Sequence, residues 1–149
     1  MRRKRKREAA LVDRTLIKVR FSEVDAMRIV WHGEYVRYFE DGREAFGSRY
    51  GLGYLDICAA GYVVPIVELN CRFIRSLEFG ETAWVETRYI DCEAAKIQFE
   101  YTIYRETTGE VVAEGESVQV FLNAENQLEL VNPPFYLEWK KKHGIGVKS

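Results

Sequence analysis

Four strand-like segments follow one another from residue 63 onward with only short turns between them, and this succession limits the fold more than any other feature. Each segment alternates apolar with polar residues, which is typical of a strand with one buried face. Because short turns join antiparallel strands, we expect an antiparallel sheet in which consecutive strands are neighbours. The predicted strands are residues 63–75, 82–90, 96–104 and 111–122.

One long helix is predicted ahead of these strands, over residues 33–50. Its apolar residues recur at spacings of three and four, so they line one face of the helix: Tyr35, Phe39, Gly42, Phe46 and Tyr50. Gly42 interrupts this face at a cost of about 1 kcal/mol relative to alanine. A close approach of the helix to a sheet beneath it would explain the glycine. Gly51 and Gly53 are expected to end the helix.

A further strand, residues 15–23, precedes the helix, and residues 133–144 predict a short C-terminal helix with proline at its start and glycine after it. The order is therefore strand, long helix, four strands and short helix. One helix packed on one antiparallel sheet of about five strands is an α+β architecture. A length of 149 residues suggests a single domain, which we place at residues 14–149.

The N-terminal residues 1–13 begin with the basic run MRRKRKRE and are expected to form a disordered arm. Asp13, Arg14 and Lys18 interrupt the next segment, so no apolar core of a signal peptide follows. No apolar run approaches the length of a membrane span. The net charge of −1 gives no general attraction to nucleic acid or to an anionic membrane. We therefore expect a cytoplasmic protein that binds no nucleic acid and does not insert into a membrane.

Several common chemistries are excluded because their motifs are missing. The sequence has no G-x-S-x-G, no P-loop and no G-x-G-x-x-G after a strand. Its two histidines, His32 and His143, are too isolated to form a typical zinc site. The three cysteines are expected to be small buried apolar residues. We expect neither a metal nor a cofactor.

The segment FSEVDAMRIVWHGEY, residues 21–35, joins the first strand to the long helix and is the candidate site. It holds Asp25, seven residues before His32. A helix start has unpaired backbone N–H groups that stabilise an oxyanion, and a nearby carboxylate can attack a carbonyl or activate water. The same residues also suit structural roles, with Asp25 in a turn and His32 capping or packing at the helix start. Spacing alone leaves both interpretations open.

The longer stretch VRFSEVDAMRIVWHGEYVRYFEDGREAF, residues 19–46, resembles the opening motif of the 4-hydroxybenzoyl-CoA thioesterase family. This family includes the acyl-CoA thioesterases associated with the Tol-Pal system. The order of elements agrees with the family over about residues 15–123. The resemblance implies a hotdog fold, in which the sheet wraps around the long helix. It also implies a homodimer, often paired into a tetramer, with active sites at subunit interfaces.

The resemblance further implies the reaction, which is hydrolysis of an acyl-CoA or acyl-carrier-protein thioester to a free acid and a thiol, with coenzyme A present only as part of the substrate. The family's catalytic carboxylate maps onto Asp25, as nucleophile or general base. The backbone N–H that polarises the thioester carbonyl maps onto His32. Tyr35 matches the motif's tyrosine. Its expected main role is packing at the helix start, and contact with the pocket is a secondary role. The expected substrate contacts are Arg28, Trp31 and Tyr35. Basic residues at strand ends are candidates for CoA phosphate contacts, although such residues are usually only solvated: Arg72, Arg75, Arg88, Lys96 and Arg105.

Two positions depart from the family pattern, which has glycine in place of Arg28 and often asparagine in place of Glu34. Glycine suits an unusual backbone conformation, which an arginine adopts less easily. The arginine side chain would either crowd the substrate path or pair with Asp25 and favour its anion. Glu34 lies in the first helical turn, where a negative charge is favourable. These departures keep open a non-catalytic module that binds acyl-CoA or lipid. A hydroxyacyl-thioester dehydratase that uses His32 and Glu34 is a third interpretation, although the His-Phe-Pro motif of such enzymes is missing.

Overall fold

The computed structural model describes residues 7–146. Within this range the elements follow in the predicted order, with one additional short helix. The strands are β1 (Leu11–Lys18), β2 (Ile66–Phe73), β3 (Thr82–Ile90), β4 (Lys96–Arg105) and β5 (Val111–Val120), and the helices are α1 (Glu34–Tyr50), α2 (Tyr54–Ala59) and α3 (Pro134–Lys142).

The strands form one antiparallel sheet in the order β1-β3-β4-β5-β2. The predicted antiparallel sheet is confirmed, but the prediction that consecutive strands are neighbours is wrong for β2 and β3. β2 lies at the far edge beside β5, and residues 74–81 return across the sheet to β3. Such a link spans up to about 27 Å when extended, whereas the two strands are separated by three spacings of about 4.8 Å each. A short link therefore does not have to join neighbouring strands.

The core lies between α1 and one face of the sheet. Phe39 of α1 is fully buried and stacks on Tyr101 of β4, with ring centroids 4.6 Å apart. A Cβ atom added at Gly42 would lie 2.5 Å from Thr87 Oγ1 and 2.7 Å from Val85 Cγ1 of β3. The expected close approach of helix and sheet at Gly42 is therefore confirmed.

The first strand begins earlier than predicted, since β1 spans Leu11–Lys18 instead of residues 15–23. After β1 the Arg20 N–H donates a hydrogen bond to Glu23 Oε1 at 2.7 Å, and a 3-10 turn forms over Phe21–Glu23. This turn takes the second half of the predicted strand out of the sheet.

The predicted boundary between arm and domain after residue 13 is wrong, because it falls inside β1. Arg7 is also attached to the sheet. Its Nε donates to Glu100 Oε2 at 2.6 Å, and its Nη2 lies 3.7 Å from Glu116 Oε2. The prediction of disorder for residues 1–6 lies outside the described residues.

The segment after α1 contains a helix where only a connection was expected. Gly51 ends α1 with a φ of 71°, as predicted, but Gly53 begins α2 instead of ending α1. The Gly53 N–H donates to Asp56 Oδ2 at 2.8 Å. With six residues, α2 is too short to show a helical period in the sequence. The predicted C-terminal helix is present as α3.

Across residues 7–146, no helix combines the length and the apolar character needed to cross a lipid bilayer.

Candidate active site

Asp25 lies in a tight turn between β1 and α1. The Asp25 N–H donates to the Ile29 carbonyl at 2.9 Å, and the Arg28 N–H donates to the Asp25 carbonyl at 2.9 Å. The Met27 N–H donates to Asp25 Oδ1 at 2.8 Å, so the side chain also closes the turn. Within residues 7–146, Asp25 Oδ2 has no hydrogen-bond partner. The turn therefore fixes the carboxylate and leaves one oxygen available for chemistry.

Arg28 ends this turn with a φ of 67°. A three-residue hairpin loop commonly ends in this left-handed conformation, which glycine adopts most easily. Glycine, which the family pattern described above has at this position, would adopt this conformation without strain. In the described part of the chain Arg28 forms no ion pair with Asp25, and its exposed side chain does not line the cavity beside Asp25.

The start of α1 follows the turn directly. The Glu34 N–H donates to the Trp31 carbonyl at 2.9 Å, and Gly33 is the N-cap residue. Among residues 7–146, the backbone N–H groups of His32 and Gly33 have no acceptor. They are donors at the positive end of the helix dipole, which is the arrangement that stabilises an oxyanion. The imidazole of His32 is not needed for this role.

A cavity of about 260 Å³ lies beside the turn and the helix start, and we call it the Asp25 cavity. Three predicted site residues line it, namely Asp25, His32 and Tyr35, whereas Arg28 and Trp31 do not. Arg75, one of the basic candidates for CoA phosphate contacts, also lines it, and the sequence analysis missed the rest of the lining: Met27, Ile29, Val30, Phe73, Ile74 and Ser76.

Three of the missed residues, Phe73, Ile74 and Ser76, come from the end of β2 and the link after it. Phe73 contacts Tyr35 and His32 edge-on, with ring centroids 5.4 Å and 6.3 Å apart. The sequence offers no local signal for this proximity, because it depends on the position of β2 in the sheet.

One of the five basic candidates for CoA phosphate contacts lines the Asp25 cavity. This residue is Arg75, whose exposed side chain also pairs with Glu110 at 3.0 Å. Arg72 and Arg88 instead lie near glutamates of the sheet, at 3.5 Å from Glu114 and 3.5 Å from Glu100, respectively.

Tyr35 is buried, and its hydroxyl accepts a hydrogen bond from the Leu77 N–H at 3.3 Å. Burial raises the pKa of this hydroxyl, so it stays neutral at physiological pH. Tyr35 therefore packs the helix start against the link after β2, in addition to lining the cavity.

Trp31 covers the helix start instead of lining the cavity. A Cβ atom added at Gly33 would overlap the Trp31 ring, so a larger residue there would require this half-exposed ring to shift. The Trp31 ring also contacts the His32 ring, with centroids 4.9 Å apart. Its predicted contact with substrate stays a prediction.

Glu34 is buried in the first turn of α1. Its Oε1 lies 3.8 Å from Arg37 Nη1, and its Oε2 has no hydrogen-bond partner in the described residues. The side chain does not line the Asp25 cavity.

The three cysteines are partly buried and unpaired. Burial raises the pKa of the Cys71 thiol, on β2, to about 11, which makes it a weak nucleophile at neutral pH. In residues 7–146, no cluster of three or more His, Cys, Asp or Glu side chains is placed to hold a metal ion.

Comparison with known proteins adds to this geometry. A model of the Thioesterase-like superfamily matches residues 19–140. A putative acyl-CoA thioesterase, YneP of Bacillus subtilis (strain 168), is 33% identical over 115 residues, which cover 77% of this chain and 83% of that protein.

Two solved structures resemble the fold. A DHNA-CoA thioesterase from Staphylococcus aureus superposes with a TM-score of 0.78 and 25% identity, over 88% of this chain and 89% of that one. The 4-hydroxybenzoyl CoA thioesterase from Pseudomonas sp. strain CBS-3 gives a TM-score of 0.72 and 21% identity, over 86% and 98%. This second likeness shows a shared fold.

Proposed function

The chain belongs to the thioesterase-like superfamily and is a thioester hydrolase, and we propose that it cleaves an acyl-CoA with Asp25 as the reacting carboxylate. One observation carries the proposal: Asp25, with a free carboxylate oxygen, and His32, with a free backbone N–H, line the same cavity. The predicted resemblance and the hotdog fold are confirmed. The association with the Tol-Pal system stays a prediction.

In the proposed reaction the thioester carbonyl lies against the start of α1. As a general base, Asp25 takes a proton from water, and the water oxygen attacks the carbonyl carbon. The carbonyl oxygen becomes an oxyanion that accepts hydrogen bonds from the free N–H groups of His32 and Gly33. The C–S bond then breaks, the sulfur leaves as a thiolate and takes up a proton, and the products are a carboxylic acid and CoA.

A nucleophilic role for Asp25 uses the same geometry. Its free oxygen would attack the carbonyl carbon, expel the thiolate and form a mixed anhydride, which water then hydrolyses. The hydrogen bond from Met27 to the other oxygen suits both routes, because it fixes the carboxylate without using the reacting atom.

We also propose that a homodimer forms through the free edge of β2. Within residues 7–146 only β5 pairs with this strand, and Val67, Leu69 and Phe73 of β2 are exposed. An unpaired strand edge with apolar side chains is a surface to which another strand can add. A second copy bound there would lie beside the Asp25 cavity, because Phe73 belongs to both surfaces. Assembly into a tetramer stays a prediction.

The test is thiol release from a panel of thioesters by the purified full chain. The panel contains short, long and aromatic acyl-CoAs and one acyl-carrier-protein thioester, and each reaction is followed with a colour reagent for thiols. Release from at least one acyl-CoA is expected. If acyl-CoAs bind tightly and none is cleaved, the chain is a non-catalytic binding module. Hydration of an enoyl thioester would instead favour the dehydratase interpretation.

A further inference from the structure

A second cavity, of about 390 Å³, lies among the middle of α1, the start of α2 and the sheet, and we call it the Arg43 cavity. Its lining is largely apolar and includes Leu52, Ile57, Val64, Ile66, Ile97 and Phe99. Such a mainly apolar cavity with a few polar groups is typical of a small-molecule site.

The guanidinium of Arg43 is the cation of this cavity. Its Nη1 donates a hydrogen bond to the buried Tyr101 hydroxyl at 3.0 Å, and this hydroxyl also bonds the Ser117 hydroxyl at 2.6 Å. Within residues 7–146, Arg43 has no other hydrogen bond and no ion pair. Its remaining N–H donors therefore have no protein partner in this range and lie beside an apolar surface, which favours a ligand that brings an acceptor oxygen.

The charge around the cavity indicates what kind of oxygen fits. Glu40 and Glu44 also border the cavity, and both are exposed. Their carboxylates would repel an anion that approaches Arg43. An uncharged acceptor, such as a hydroxyl or a ketone oxygen, avoids this repulsion and can still receive a hydrogen bond from the guanidinium.

An apolar track on β2 connects the Arg43 cavity with the Asp25 cavity. Ile66 lines the former, Phe73 lines the latter, and Leu69 lies between them. These side chains are 38%, 45% and 39% exposed, respectively. They lie on the helix side of the sheet, because their partners on β5 include Ser117, whose hydroxyl bonds Tyr101 beneath α1.

The track from Phe73 to Ile66 is about 20 Å long, since the paired stretch of β5 spans six residue steps. The chain that reaches Arg43 is shorter and covers only the part from Phe73 to Leu69, because its length is set by α1, which borders both cavities. Tyr35 lines the Asp25 cavity and Arg43 lines the other, and the rise of a helix separates these positions by about 12 Å. This distance corresponds to an extended medium-chain acyl group.

We propose that the acyl chain of the substrate lies along this track and that Arg43 selects chains with an uncharged oxygen at the far end. This inference rests on the proposed function, since it assumes that the thioester lies in the Asp25 cavity. The substrate class is a medium-chain acyl thioester with a terminal hydroxyl or ketone group.

The test compares kcat/KM for ω-hydroxydecanoyl-CoA with that for decanoyl-CoA. The wild-type enzyme is expected to prefer the hydroxylated chain about tenfold, which is the effect of one hydrogen bond to a charged group. Arg43→Met replaces the guanidinium but keeps an apolar stem of similar length, so it should reduce this ratio to about one. A merely structural role of Arg43 would lower both values together and leave the ratio unchanged.

Two controls sharpen the comparison. Arg37→Met makes the same change at an exposed position of α1 outside both cavities and should keep the wild-type ratio. The pair ω-hydroxybutanoyl-CoA and butanoyl-CoA is too short to reach Arg43, so the wild type should not discriminate between them. An equal ratio in wild type and Arg43→Met, or equal preference for both hydroxylated chains, would overturn the inference.

Failure of the proposed function gives a different result, because the wild type then releases thiol from no acyl-CoA. In that case the affinities of the two decanoyl thioesters are measured by calorimetry on the wild type and on Arg43→Met. Tighter binding of the hydroxylated thioester by the wild type alone supports the Arg43 site, and equal affinities overturn it.

Discussion

The backbone N–H of Met27 donates a hydrogen bond to one carboxylate oxygen of Asp25, over 2.8 Å, while the other oxygen has no partner in residues 7–146. The same side chain therefore stabilises a turn and presents an oxygen at a cavity. From the sequence, a role in the turn and a role in the reaction are alternatives for Asp25. In the structure the two roles are compatible, because each uses a different carboxylate oxygen.

Asp25→Asn should reduce thiol release by about 10²- to 10⁴-fold, because the amide is neither a base nor an effective nucleophile. The asparagine oxygen can still accept the Met27 hydrogen bond, so the turn and the stability are expected to remain. Initial rates on the best acyl-CoA of the panel and a thermal unfolding curve measure the two effects.

Asp56→Asn is the matched control for this variant. Asp56 also accepts a backbone hydrogen bond, from Gly53 at 2.8 Å, but it lines neither cavity. Its rate should equal that of the wild type. Full activity in Asp25→Asn would contradict the proposed chemistry.

Arg28→Gly should raise the free energy of unfolding by about 1 kcal/mol, because a side chain in the left-handed region carries strain that glycine avoids. Urea unfolding measures this change. Asn126, with a φ of 63°, is the matched position. Asparagine tolerates this conformation better than arginine does, so Asn126→Gly should gain less. A loss of stability in Arg28→Gly would show that the arginine makes a compensating contact.

The predictable part of the fold is the part that local patterns determine. The apolar face of α1 and the turn glycine Gly51 depend on neighbouring residues, and the sequence predicts both. The position of β2 at the far edge does not follow from its own sequence, because the link to β3 is compatible with more than one strand order.

The site divides in the same way. Asp25 and His32 belong to one short segment, so their proximity could be predicted. Phe73 and Arg75 reach the cavity only through the strand order. Arg43 becomes a candidate contact only because folding leaves some of its N–H donors without a protein partner in residues 7–146. No spacing in the sequence reports these relationships.

Gly42→Ala should lower the free energy of unfolding by about 1–3 kcal/mol, since the added Cβ would overlap Thr87 and Val85 and push α1 away from β3. This effect opposes the gain in helix propensity of about 1 kcal/mol. Ser48→Ala, on the exposed side of α1, is the control and should be neutral or slightly stabilising. A stabilised Gly42→Ala variant would contradict the close packing of helix and sheet.

The lowered pKa of Glu100 predicts that the fold loses stability in acid. Burial alone raises the pKa of this carboxyl, but hydrogen bonds and charge from Arg7, together with the charge of Arg88, hold it below its usual value. A lowered pKa in the folded state stabilises the fold above the ordinary carboxyl range, and this stabilisation is lost as the pH falls through the folded pKa. Glu100→Gln should therefore destabilise the protein near pH 7 and much less near pH 3.

Urea unfolding at both pH values measures the difference in the free energy of unfolding between Glu100→Gln and the wild type. Glu93→Gln, at an exposed position, should show a small difference from wild type that does not change with pH. An effect of Glu100→Gln that is the same at both pH values would contradict the linkage.

Val67→Lys should convert the proposed dimer into a monomer. Val67 is exposed on β2, at the irregularity in the pairing with β5, and a lysine there places a charge on the edge that a second copy would cover. Val12→Lys makes the same change on β1, the other edge of the sheet, and should leave the assembly intact. Light scattering after gel filtration measures the mass of each variant.

Because the proposed interface lies beside the Asp25 cavity, Val67→Lys should also lose thiol release. A Val67→Lys dimer, or a Val12→Lys monomer, would place the interface elsewhere.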